Sequence, residues 1–509
     1  MKITDRNRFL LKKEHIYCIS ILMYIVLNAV LITHHEAWRD EAQAWTIARN
    51  LTIPEIIDLL PTEGHPISFF LILKLWYKLG GAYAWIGIIS LSFMTIIVGV
   101  ILCKAPFPIW INVLIIFSPI CFYYNAVISR CYCIMALALV FVAVSRRKKD
   151  EKPVVYCLAV AFLVQTHVLV IPLAMGLCVE LLFDTLKGRL NKDKLWSVFI
   201  PLMSLFSVFL ELYQRKKTAY ITFDTILGNF AITNPQVLHK RVKTVVTFAF
   251  GSGRVHIIVS ILLIIALIIA LLLISTSLMG EKGNSIRKAS SEMIISGFGI
   301  TGYLAIICFV RECAHVQMAL VFYWILFFAA WSIQDVLNSD KKNRTIESSS
   351  LSRKRDKLLI KVVYIALLLI VILSYKKEFA DIKYDYYNNY SNSKAMAKEM
   401  IDYLPEESMV LIRQEDYRIS APYAYLMDKR DDVIFWDVDE KREYTCIIWG
   451  KEYPETDLRK YAKKMNRNVY YLTSKRIEDM GTPVLATKEP NPWEENYFLY
   501  DMNKWELKY

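Results

Sequence analysis

The sequence contains no CxxC pair and no basic stripe interleaved with aromatics. It is short of acidic charge, with 48 Asp and Glu against 61 Lys and Arg and a net charge of +13. The missing CxxC spacing removes the usual structural zinc pattern, and "CYC" at Cys131 to Cys133 is too close to supply it. Most of the ten cysteines (among them Cys18, Cys103, Cys121, Cys157, Cys178 and Cys308) sit inside apolar runs, where cysteine behaves as a small hydrophobe, so no disulfide framework is expected. The missing basic-aromatic stripe excludes nucleic acid as a partner, despite the positive balance. No Gly-rich phosphate loop occurs in the polar C-terminal quarter, and no repeat of solenoid type is visible.

Long apolar runs dominate instead. The chain is 55% hydrophobic over 509 residues, with a mean hydropathy of +0.33, and many runs match the roughly 17–25 residues that cross a bilayer. The first run, His15 to Thr33, follows Lys2, Arg6, Arg8, Lys12 and Lys13 and is longer than a signal-peptide core, with no small-residue cleavage site in "LITHHEAW". It reads as an uncleaved helix with its N-terminus inside. The basic clusters at 146–152, 184–194, 280–292 and 339–357 read as cytoplasmic loops under the positive-inside rule, so an even number of crossings separates any pair of them. Residues 358–374 then cross outward, 293–310 and 316–333 form a hairpin tipped by "RECAH", and 195–211 and 255–279 flank a long outer loop, 212–254. The stretch 154–183 folds as a hairpin at "QTH", since one helix of about 45 Å would put the basic clusters at its ends on opposite sides. Parity in the N-terminal region leaves the short run 67–77, which carries Lys74, lying along the outer interface within a first outer loop, 34–81. The total is about eleven crossings. Residues 376–509 are polar, with strand-like "MVLIR", "VIFW", "TCIIW" and "VYYL" and amphipathic patterns at 393–404, 417–427 and 455–465, and read as an extracytoplasmic α/β domain.

This threading puts seven of the eight histidines, Asp40, Glu41, Arg130, Arg254, Arg311 and Glu312 on or near one face. Ionisable groups at membrane depth are costly and usually face a cavity or pathway. Each group has a structural reading too. Asp40 with Gln43 fits a helix capping box, "EGHP" (63–66) fits a turn into a helix, Arg130 can snorkel, and "RECAH" and His167 can be solvated tips. Together they sketch different chemistry. An outer carboxylate can act as general base on an acceptor hydroxyl, arginines at the lipid boundary suit a phosphate, and Trp38, Trp45, Tyr123 and Tyr124 can stack on a sugar.

"WRDEAQAWTIARN" after a first membrane helix resembles the first outer loop of GT-C superfamily glycosyltransferases, nearest the branch of protein O-mannosyltransferases and lipid A aminoarabinose transferases. "EGHPISFFLILKLWYKLGG" resembles the following family segment, "VISRCY" the Ser-Arg at the outer end of a later helix, and "QTHVLVIPL" a Thr-His pair at the next hairpin tip. The resemblance covers roughly residues 15–175 and is topological from there to 374. It implies an α-helical polytopic membrane protein with a GT-C-like domain at 1–375 and a separate α/β domain at 376–509, the latter unlike the β-trefoil insert of eukaryotic mannosyltransferases. It also implies an inverting transfer from a polyprenyl-phosphate sugar in the cell membrane, to a glycan, lipid or protein acceptor. Asp40 is then the base, Glu41 is the second catalytic residue, orienting Asp40, binding acceptor or sharing a metal, and Arg130 contacts the donor phosphate. Glu63, His65, His167, Arg311 and His315 are further binding candidates. Some relatives bind Mg2+ or Mn2+ through the acidic motif, which would fall on Asp40 and Glu41. A lipid-linked glycan transporter and a membrane sensor with an outer ligand-binding domain are the alternative readings.

Overall fold

The computed structural model describes residues 13–187, 192–212, 234–250, 284–310, 316–343 and, with short interruptions, 361–504, together with Arg254, Ile258 and Cys313. The expected crossing at 255–279 and the pattern at 455–465 lie largely outside the described residues, and only some of 358–374 is described. In chain order the membrane region contains α1 (Lys13–His34), α2 (Arg39–Asn50), α3 (Ile53–Glu63), α4 (Ser68–Lys78), α5 (Gly87–Lys104), α6 (Ile109–Ile116), α7 (Tyr132–Arg146), α8 (Pro153–Val164), α9 (Ile171–Leu186), α10 (Phe199–Leu212), α11 (Pro235–Phe250), α12 (Asn284–Ala305) and α13 (Val316–Asn343). Among the described residues six helical stretches are long and apolar enough to cross a membrane, and α7 and α8 are shorter apolar helices. The chain is a multi-pass membrane protein. The break at 165–170 between α8 and α9 falls at the expected hairpin tip.

Three short helices fill the loop between α1 and α5. Gly64 ends α3 in the left-handed region, at φ 69°, where a side chain would be strained. The expected interface-lying run is α4, eleven residues long. Its Lys74 donates to the carbonyls of Ala48 and Leu51 at the C-terminal end of α2. A cation there meets the negative end of the helix dipole, which is why a lysine interrupts an apolar stretch. Close packing fixes the hairpin tip as well: a Cβ on Gly302 of α12 would lie 2.2 Å from the Pro172 side chain at the start of α9.

The C-terminal domain contains α14 (Ser393–Tyr403), β1 (Met409–Ile412), α15 (Ser420–Met427), β2 (Ile434–Asp437), β3 (Arg442–Glu443), β4 (Val469–Thr473), β5 (Leu485–Thr487) and β6 (Tyr497–Asp501). The sheet order is β3-β2-β1-β4-β6-β5, with β2, β1 and β4 parallel and the outer strands antiparallel. The strands alternate as a two-sided sheet must. Val410, Ile412, Tyr470, Leu472 and Leu499 join the core continuous with the membrane region. Met409, Leu411, Val469, Tyr471 and Tyr500 close a second, smaller core on the far face.

One expected strand does not form. Residues 445–448 of "TCIIW" form no strand. Two glutamine amides take the place of neighbouring strands. Gln43 of α2 donates to the Ile447 carbonyl (2.8 Å) and accepts from its amide (3.1 Å), and Gln414 donates to the Cys446 carbonyl (3.0 Å) and accepts from the Ile448 amide (2.8 Å). A buried backbone needs partners, and side chains serve when a strand is missing. The β5 and β6 strands carry no pattern that distinguishes them in the sequence. Gln43→Leu strips Ile447 of both partners, so it should destabilise the protein by about 1–3 kcal/mol. Thermal unfolding in detergent, followed by tryptophan fluorescence, should show a lower midpoint; an unchanged midpoint would mean the bridge contributes nothing.

Candidate active site at the α2 N-terminus

The short α2 helix begins one turn after α1 ends, and its first turn holds the acidic pair. The expected Asp40–Gln43 capping box is not what forms. Trp38 is the N-cap, and Glu41 at the third helical position accepts from the Trp38 amide at 3.2 Å. Gln43 turns instead to Ile447 and Glu63, donating to Glu63 Oε1 at 2.8 Å.

The two neighbouring carboxylates meet opposite environments. Glu41 has no exposed surface. Its Oε1 accepts from the Ser129 amide at 2.6 Å, and its Oε2 lies 3.2 Å from His35 Nε2. His35 Nδ1 in turn lies 2.8 Å from Asp385, which also accepts from the Tyr123 hydroxyl at 2.7 Å. Burial alone would depress the His35 imidazole, but the flanking Asp385 and Glu41 carboxylates override it and raise it to about 10. His35 is therefore an imidazolium at neutral pH, donating to both acids. Asp40 keeps 23% of its side chain exposed and pairs with the buried Arg130 guanidinium, while Arg39 Nε approaches its other oxygen at 3.4 Å.

Arg130 is placed by its own segment. Ser129 is pinned by Glu41 and by its hydroxyl on the Ile86 carbonyl (3.1 Å), and Gln317 of α13 donates to the Tyr124 carbonyl at 2.6 Å. The same end of the bundle gathers His65 and His167, whose rings lie 4.8 Å apart edge to face. Ser68 donates to the Gln165 carbonyl, tying the start of α4 to the hairpin tip. Glu63 meets the site through Gln43. Arg311 and His315 lie outside the described residues. The aromatic platform expected of Trp38, Trp45, Tyr123 and Tyr124 is absent, because all four are buried. Trp45 packs edge-on against Tyr77, and the two tyrosine hydroxyls are committed to Asp385 and Asp381.

The C-terminal domain is built into this site. Arg39 stacks on Tyr417 (4.8 Å to the ring centre), and its Nε lies 3.9 Å from Glu495. Ala37 donates to the Tyr425 hydroxyl at 2.8 Å, and Glu36 accepts from the Lys394 amide and the Ser393 hydroxyl. Burial pushes both Glu36 and Glu495 up to about 7, hydrogen bonds notwithstanding. Sequence reasoning misses this half of the site. "HHE" just ahead of "RDE" marks charge density in the loop, but Asp385, 350 positions from His35, carries no local signal.

A hard divalent cation on Asp40 and Glu41 needs oxygens free to face it. The oxygens of both are instead turned to arginine, histidine and backbone donors, so the pair does not fit Mg2+ or Mn2+ as arranged.

No family model matches the sequence, and no curated protein matches it. Among solved structures the chain is similar to ArnT from Cupriavidus metallidurans, crystallised with bound undecaprenyl phosphate. The likeness has a TM-score of 0.50 at 11% identity, over 95% of this chain and 97% of that one. The fold is therefore an ArnT-like membrane fold, with the C-terminal domain included in the superposition.

Because Glu36 and Glu495 hold protons more tightly folded than unfolded, stability falls as pH rises from about 4.5 through about 7. His35, raised above its unfolded value, adds the same sign above about pH 6.5. Protection of the C-terminal domain from limited proteolysis should weaken from about pH 5 to about pH 8, and Glu36→Gln, which mimics the protonated acid, should flatten the trend. Protection that grows with pH would contradict this.

Proposed function

We propose that this chain is a membrane glycosyltransferase moving a sugar from a polyprenyl-phosphate-linked donor to an acceptor hydroxyl on the extracytoplasmic face, with inversion at the anomeric carbon. The observation that carries the reading is the contrast between the paired acids. Asp40 is reachable and sits on an arginine, whereas Glu41 is sealed among donors. The ArnT-like fold and the polyprenyl phosphate bound to that protein support a donor of the same class.

Asp40 takes the acceptor hydroxyl proton as the oxygen attacks the anomeric carbon from the side opposite the phosphate. The C–O bond to phosphate breaks, and the leaving polyprenyl phosphate carries the developing charge. Arg130 receives it. A guanidinium has five donors in a planar fork, so it can turn from the Asp40 carboxylate to a phosphate without losing its charge. That exchange also frees Asp40 to act as base once donor is bound. Arg39 provides a second cation at the same carboxylate. Glu41 is a positioning residue. It fixes the Ser129 amide next to Arg130 and the first turn of α2, and it faces the His35 ring at 3.2 Å. Glu63 acts through Gln43, and His65 and His167 take no step in this mechanism. With the basic clusters inside, the N-terminus is cytoplasmic and the α2 site faces outward.

Purified protein given a polyprenyl-phosphate sugar and an acceptor should release polyprenyl phosphate. Asp40→Asn should lower kcat by roughly 10²–10⁴-fold, and Arg130→Met by roughly 10²–10³-fold, the scale for removing one charge-stabilising donor. Both variants should elute as wild type. Undiminished turnover in Asp40→Asn would remove the base assignment.

A further inference from the structure

His65, Cys131 and His167 come from three separate segments: the turn after α3, the residue preceding α7, and the tip between α8 and α9. One ligand atom from each lies within 4.8 Å of the other two. Cys131 and His167 are buried and His65 is partly exposed, which leaves an approach from one side. The transfer mechanism uses none of them. We propose that His65, Cys131 and His167 hold a thiophilic divalent metal of the zinc class, with water or an anionic oxygen as fourth ligand. This inference does not depend on the glycosyl-transfer reading.

The donor set argues for that class of metal. Two imidazoles and a thiolate suit zinc, and copper next, whereas magnesium, calcium and manganese prefer oxygens. Zinc bonds of about 2.0–2.3 Å place tetrahedral ligands roughly 3.3–3.8 Å apart. The cluster therefore needs to contract by about 1 Å, within reach of side-chain rotation at a turn and a helix start. Three protein ligands leave one position open, as in zinc sites that bind a water or a substrate. A divalent ion with one thiolate carries a net positive charge, and the neighbouring Arg130–Asp40 pair is neutral as a pair. The open position therefore favours an anion.

His167 sets a further condition. Its Nδ1 accepts from the Leu169 amide at 3.1 Å, so the neutral ring carries its proton on Nε2. A metal on Nε2 displaces that proton, leaves the ring's other proton on Nδ1 and so trades away the Leu169 contact. The Leu169 amide and the Tyr132 ring, 4.7 Å from His167, hold the tip in place.

The test uses the full-length protein in detergent, stripped with a chelator and titrated with Co2+. One equivalent should bind and give a thiolate-to-cobalt charge-transfer band in the near ultraviolet, which excess Zn2+ abolishes. Cys131→Ser should lose the band, although nine other cysteines remain. His65→Ala and His167→Ala should each weaken binding by at least the roughly 10–100-fold that loss of an outer-shell partner costs. X-ray absorption on the wild-type zinc form decides the matter even where a variant fails to fold. One sulfur at about 2.3 Å and two nitrogens at about 2.0–2.1 Å support the site. No chelator-sensitive binding, a band that survives Cys131→Ser, or a zinc shell with no sulfur or with several would overturn it.

Discussion

A carboxylate with no exposed surface ties this end of the molecule together. Glu41 accepts from two backbone amides and from an imidazolium; Trp38 and His35 belong to the α1–α2 connection and Ser129 to the segment before α7. Removing one partner of a buried charge is strongly destabilising, on the order of 3–5 kcal/mol, so the segments are bound to one another through it. The Trp38 amide fixes where α2 begins. The Ser129 amide fixes the residue before Arg130. His35 carries the link onward to Asp385 and hence to the chain that leads into the C-terminal domain. Asp40 takes its position from this arrangement: it is one residue along a helix whose first turn its neighbour has already fixed.

The C-terminal domain belongs to the same construction. One face of its sheet is continuous with the core of the membrane region, and α15 packs on α2. Tyr425, Lys394 and Glu495 supply partners to residues 36–39. Two of the acids at this junction, Glu36 and Glu495, are buried strongly enough to sit near neutrality, which makes the docking of the domain responsive to pH over a range where a surface ion pair would not be.

Much of this is legible in the sequence, for physical reasons that can be named. Span lengths and basic clusters follow from the bilayer and the charge rule, and they place the helices, the α8–α9 break and the short α4. The acidic pair and Arg130 stand out because charge beside a membrane is costly, and the structure puts Asp40 on Arg130. What is not legible depends on long-range partners. Nothing near Gln43 announces Ile447, 404 positions away, so this stretch reads as a strand when two amides serve it instead. The aromatics of "WRDEAQAW" suggest a sugar platform, but Trp38 and Trp45 are packing residues beneath the acids. The short spacing from Cys131 to Cys133 rules out the usual structural zinc pattern within that pair, and nothing near Cys131 announces the histidines beside it, which lie 66 residues before it and 36 after it.

Whether Arg130 exchanges Asp40 for a donor phosphate is decided by a structure of the protein with bound polyprenyl phosphate. The account requires the lipid phosphate within hydrogen-bond distance of the Arg130 guanidinium, with an Asp40 oxygen released toward the open side of the pocket. A phosphate seated elsewhere, with the Asp40–Arg130 pair intact, would contradict it.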